Sequence, residues 1–143
     1  MSLLWKFSYM SRLSGGVGDD DLRALVRQSW FRNLRDGISG ALDLREGVFR
    51  QTVEGPPEAI APLAAAILGD PRHGEIAVES FCATSRRHFS AWGVTGFDRL
   101  GPGVSRYRLP DGLMPLSQGG RVLTLRSPGS QAPRDGQRPR RVN

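Results

Sequence analysis

Val48-Phe49-Arg50-Gln51-Thr52-Val53-Glu54-Gly55-Pro56-Pro57 is the stretch on which the fold turns. Strand side chains alternate between faces, so Phe49, Gln51 and Val53 share one face while Arg50 and Thr52 take the other. Gly55-Pro56-Pro57 stops the strand, and Pro57 suits the first turn of a helix. That helix is predicted from Glu58 to Leu68, with Ile60, Leu63, Ala64 and Ile67 inward. On the other side, Arg45-Glu46-Gly47 reads as a hairpin loop. It joins the strand to an earlier one over Ile38–Leu44, with Ile38, Gly40, Leu42 and Leu44 inside.

Working outward, Leu3–Tyr9 reads as a first strand with Trp5, Phe7 and Tyr9 on one face. Arg12–Gly18 is a loop, and Asp19-Asp20-Asp21 opens a helix where carboxylates meet the positive end of the dipole. Leu22, Leu25, Val26 and Ser29 form its inner stripe, which fades at Arg32-Asn33 before the Asp36-Gly37 turn. Asp70-Pro71-Arg72-His73-Gly74 breaks the second helix; a fourth strand is predicted over Ile76–Cys82 and a fifth over Arg86–Val94. The order βαββαββ predicts an α+β, ferredoxin-like fold, a mixed five-stranded sheet with two helices on one face. The first and third strands are expected as parallel central neighbours, placing Tyr9 and Gln51 side by side under the helices. A glutamine on an apolar face is an anomaly, because a buried amide without partners is costly.

The chain has 143 residues, enough for one core. Residues 1–97 are expected to form the domain, 98–125 an irregular extension packed on it, and 126–143 a disordered tail. The net charge is +6, but residues 126–143 carry five arginines against one aspartate, so most of the excess lies in a Pro-, Gly- and Ser-rich segment. This argues against a specific nucleic-acid partner. No apolar run is long enough to span a bilayer, and the start lacks a signal-peptide pattern, so a cytoplasmic protein without a membrane partner is expected. The single cysteine, Cys82, excludes an intrachain disulfide and a multi-cysteine metal site; it reads as a buried strand residue, and His88 as a surface one. No metal is expected.

Several motifs occur in order: Tyr9-Met10-Ser11, Ser29 with Arg32-Asn33, Gly37-Ile38-Ser39-Gly40-Ala41-Leu42, Val48 to Pro56, Asp70-Pro71-Arg72-His73, and Arg87-His88-Phe89-Ser90-Ala91-Trp92. Together they resemble the BLUF family, which senses blue light using FAD, over about Leu3 to Phe97. The resemblance implies FAD as cofactor, with Tyr9 as electron and proton donor and Gln51 as the switching amide. It implies that Asn33 contacts the pyrimidine edge of the isoalloxazine, with Arg32 as a second polar contact there. Ser29 is another cofactor contact, His73 lies beside the ring system, and Trp92 lies near Gln51. No substrate is consumed, so the chain is not expected to be an enzyme; a separate downstream signalling protein is the expected partner, and a homo-oligomer is compatible with this. Two features depart from the family pattern: Val94 stands where a methionine is common, and residues 98–125 do not read as the usual two helices.

Two other functions compete. Arg32-Asn33-Leu34-Arg35-Asp36-Gly37 faintly resembles the asparagine motif of acylphosphatases, but three carboxylates follow the Gly15–Gly18 loop and would repel a phosphate. A flavin-free BLUF-like interaction module is the other. The composition of 126–143 generates a prediction. Truncation after Leu125 should leave a folded protein with its ligand site intact, checked by circular dichroism and flavin content; loss of soluble protein would show that the tail packs on the domain.

Overall fold

Residues 3–97, 102–109 and 123–124 are described by a computed structural model; for 102, 103, 123 and 124 only the backbone is described. The order is β1 (Leu4–Leu13), α1 (Asp19–Asp36), β2 (Ser39–Arg45), β3 (Val48–Gly55), α2 (Pro57–Leu68), β4 (His73–Thr84) and β5 (Trp92–Phe97). A helical turn, α3 (Pro102–Ser105), and a two-residue strand, β6 (Leu123–Thr124), follow. The strands lie in the order β5-β2-β3-β1-β4-β6. This is the expected α+β layout, with β6 adding a short rung beside β4. The tail at 126–143 and the Leu113–Leu116 patch lie outside the described residues.

The central pair differs from expectation in one respect: β1 and β3 are antiparallel. The α1 crossover returns β2 in the direction of β1, and the β2–β3 hairpin then reverses the chain. The sheet is mixed because β5 runs parallel to β2. Tyr9 still pairs directly with Gln51, Gln51 with Leu42, and Leu42 with Val94. Directly paired residues share a face, so one row crosses four strands from Tyr9 to Val94.

Helix α1 continues one turn past its predicted fade. Asp21 at its start accepts a hydrogen bond from the Gly18 N–H (3.1 Å). Gly37 ends it in the left-handed conformation, φ 70°, and the Asn33 carbonyl accepts the N–H of Gly37 and of Ile38. This cap holds Asn33 at a fixed height in the core, where it is fully buried. The core itself joins Phe7, Leu22, Val26, Val53, Ile60, Leu63 and Val94 between sheet and helices.

The fifth strand begins at Trp92, not Arg86. Residues 85–91 form no ladder, because the Glu54 carboxylate takes the N–H groups of His88 and Phe89 and the Thr84 hydroxyl donates to the Arg86 carbonyl. The outer edge of β5 is covered by the extension: the Val94 N–H donates to the Tyr107 carbonyl (2.9 Å) and the Leu109 N–H to the Val94 carbonyl (2.8 Å). Among the described residues of this extension, Pro102–Ser105 form a short helical turn, and Tyr107 and Leu109 are buried. Cys82 is exposed near the end of β4, contrary to the buried position expected, because a register shift between Ser8 and Tyr9 pairs Phe81 with Phe7 and Cys82 with Lys6.

Gly40 is the tightest point of the sheet. Its φ is 149°, and a Cβ there would meet the Thr52 carbonyl oxygen at 1.9 Å. Gly40→Ala is therefore expected to destabilise the fold by about 2–3 kcal/mol, measured by urea unfolding. An unchanged midpoint would show that the β2–β3 approach is looser than described.

Candidate functional site

A cavity opens between α1 and α2 above the centre of the sheet. Tyr9, Leu42, Phe49 and Gln51 form its floor, Leu25, Ser29 and Arg32 one wall, and Leu63, Ala66 and Ile67 the other. Asp70, Arg72 and His73 close the end beyond α2. The walls are ordinary amphipathic helix faces; the polar floor is the unusual part.

On that floor the Gln51 amide bridges two aromatic side chains. Its Nε2 donates to Tyr9 Oη (2.7 Å), and its Oε1 accepts from Trp92 Nε1 (2.9 Å). The indole N–H can only donate, so the atom facing it must be the amide oxygen. That choice leaves the amide nitrogen for Tyr9. The partner of Trp92 on β2 is Gly40, so no side chain stands between the indole and β3.

A model of the family described as "Sensors of blue-light using FAD" matches residues 4–95. The chain belongs to the BLUF family. It is 33% identical over 95 residues to the photoactivated adenylate cyclase subunit beta of Euglena longa, a match covering 66% of this chain but only 11% of that protein. The corresponding subunit of Euglena gracilis is 32% identical over 93 residues, again 11% of its length. The chain thus spans a small part of the curated relatives it matches. Among solved structures, the dark state of the BLUF protein BlrB is similar with a TM-score of 0.62 and 34% identity, covering 67% of this chain and 74% of that one. BlrP1 of Klebsiella pneumoniae, solved with FMN and cyclic diGMP, is similar with a TM-score of 0.60 and 30% identity, covering 75% of this chain and 31% of that one. A BLUF domain is a sensory module, and the adenylate cyclase named in the Euglena relatives is a property of those longer proteins.

The BLUF fold gathers most of the expected site residues at one cavity. Ser29, Arg32 and His73 line it beside Tyr9 and Gln51. Asn33 lies next to Arg32 in the core; its Oδ1 accepts a long hydrogen bond from Arg32 Nε (3.5 Å), and its Nδ2 has no partner. Arg32 Nη2 also reaches Ser29 Oγ at 3.4 Å. Both contacts are at the weak limit of a hydrogen bond. Burial lowers the Arg32 pKa from its ordinary value, opposed by Asp36. His73 Nε2 donates to the Ile67 carbonyl (2.6 Å), and Nδ1 lies 2.6 Å from Ser11 Oγ. The ring is thereby fixed edge-on to both Tyr9 and Phe49.

Sequence reasoning missed Asp70 and Arg72 as cavity residues. Their ion pair, 2.7 Å from Arg72 Nη2 to Asp70 Oδ2, stiffens the turn that presents His73. It also missed Glu54, which is fully buried, and it placed His88 on the surface. His88 is instead half-buried against Glu54, with Nδ1 3.4 Å from Oε1. A carboxylate in a strand ending at Gly55-Pro56 gives no sequence signal of burial. Among the described residues no group of three His, Cys, Asp or Glu side chains could hold a metal, and no helix is long and apolar enough to cross a membrane.

Burial raises the Tyr9 pKa above the ordinary 10.0, with the Gln51 hydrogen bond acting the other way. The unfolded chain therefore releases this proton first as pH rises. Tyr9's contribution to stability is full below about pH 10 and is lost progressively above it. Unfolding midpoints measured across this range should fall more steeply for the native chain than for Tyr9→Phe. Parallel curves would show that the phenol is not protected from solvent.

Proposed function

We propose that this BLUF chain is a blue-light receptor that binds FAD between α1 and α2 and switches through Tyr9, Gln51 and Trp92. The observation that carries the reading is the Gln51 amide held between a phenol and an indole on the cavity floor. The cavity's polar groups fit a flavin. On its wall Arg32 and Ser29 are tied only by long contacts, which leaves both with capacity for a ligand. Asn33 does not line this cavity but lies buried beside Arg32 with its Nδ2 unpartnered, so a flavin edge would have to reach past Arg32 to satisfy it. Leu25, Leu63 and Ile67 supply apolar walls for a flat ring.

Bound FAD supplies the blue-light absorption and, once excited, an electron acceptor. Tyr9 is suited to donate because its buried phenol keeps its proton and can release it as the electron leaves. Gln51 then has two states of different hydrogen bonding. Turning the amide over would set Nε2 against the Trp92 N–H, donor against donor, and would let Oε1 accept from Tyr9. The amide therefore cannot reverse without Trp92 losing its bond. In this reading that coupling carries the signal into β5 and on to a separate signalling protein.

Nothing in the geometry favours the phosphatase alternative. Arg35 is spent on Asp36 (2.7 and 3.0 Å) at the surface, in the last turn of α1. The purified protein should release FAD on denaturation and show a reversible red shift of the flavin absorption under blue light. Tyr9→Phe should keep the flavin and lose the shift. A protein that stays colourless after reconstitution, or a Tyr9→Phe variant that photocycles normally, overturns the reading.

A further inference from the structure

We propose that Glu54 is a positioning residue that sets Trp92 against Gln51; the photochemical part of this inference rests on the function proposed above. After β4 the chain must pass from one side of the sheet to β5 on the opposite edge. Residues 85–91 make that crossing at the end of the sheet marked by Thr84, Leu4, Gly55 and Ser39. The backbone bond from the Gly40 N–H to the Ala91 carbonyl comes only at its close (3.1 Å).

Glu54 holds the middle of the crossing. Its Oε2 accepts from the His88 N–H (2.9 Å), the Phe89 N–H (2.7 Å) and the Ser39 hydroxyl (2.8 Å). Oε1 shares the His88 N–H at 3.0 Å. Arg87 fastens the same point from outside, donating from Nη1 to Ser39 Oγ and from Nη2 to the Gly37 carbonyl, both at 2.8 Å. Phe89 then buries against Ala41 and Leu109. Three residues later Trp92 enters β5 beside Gly40.

A buried carboxylate is expensive, and a neutral side chain would be tolerated if it only filled space. Here three donors converge on Oε2, and the His88 N–H is shared with Oε1, which a carboxylate meets by accepting on both oxygens. Glutamine would replace Oε1 with an amide N–H set against the shared His88 N–H, and so loosen the crossing at that residue. The consequence falls on the next rigid element, the strand that carries the indole.

The test follows the indole N–H resonance of Trp92 in the full-length protein, without and with FAD. The protein has three tryptophans, so the signal is assigned by its loss in Trp92→Phe. In Glu54→Gln the Trp92 resonance should shift and exchange faster with solvent, while those of Trp5 and Trp30 stay in place. In flavin-loaded protein, dark recovery should change by the same factor as in Trp92→Phe, and the double variant should match that single variant. A folded Glu54→Gln protein with an unmoved, protected Trp92 signal overturns the proposal, as does a double variant whose effects multiply. Should Glu54→Gln fail to fold, Ser39→Ala decides: a smaller displacement of the same signal is expected, and none overturns the proposal. A chain that binds no flavin removes the photoreceptor reading and leaves the flavin-free indole result to judge Glu54 alone.

Discussion

The structure depends on satisfying one amide. Gln51 stands on the face of β3 that packs beneath the helices, where an unpartnered amide would be costly. Its partners are a phenol from β1 and an indole from β5. A donor-only group on one side fixes the amide's orientation without help from any bound molecule. The third strand therefore presents a defined donor toward Tyr9 before a ligand arrives. Preorganisation of this kind suits the switch proposed above, whose response would be a change of hydrogen bonding rather than a turnover.

The topology makes that satisfaction possible. Antiparallel pairing of β1 with β3 sets Tyr9 directly opposite Gln51. The indole comes from two strands away, and it can reach Gln51 because its β2 partner is glycine. Gly40 also permits the close approach of β2 to the Thr52 carbonyl. One residue without a side chain thus serves both the backbone contact and the path of the indole.

Alternation and helical spacing are enough to place Tyr9 and Gln51 on one face and Ser29 toward it, while Arg32 is reached only through the family resemblance. Both patterns are local, and they survive in the structure because one face of each element is buried. Strand direction was another matter: period-two alternation is the same whichever way a neighbour runs, so the β1–β3 pair was read as parallel. The start of β5 was misplaced for a related reason. Arg86 to Ala91 has strand-like residues, yet its His88 and Phe89 N–H groups go to Glu54. That competition is made by a residue over thirty positions away and leaves no trace in local pattern. The ion pair of Asp70 and Arg72 was hidden likewise in a segment that reads only as a helix stop.

Val94 shows how a departure from the family pattern is absorbed. Its side chain is fully buried, in the same row as Gln51 but with Leu42 between them. A branched alkyl group there packs the core and offers the amide nothing, which leaves Trp92 as the polar neighbour of Gln51 on the β5 side. The backbone of Val94 has a different task, since its N–H and carbonyl both bond to the extension at Tyr107 and Leu109. Tyr107 in turn packs on Trp30 of α1, with ring centroids 5.5 Å apart. The indole and the extension are therefore attached two residues apart on one short strand. A displacement of Trp92 along β5 would therefore act on the Val94 bonds to the extension and, through Tyr107 and Trp30, on α1.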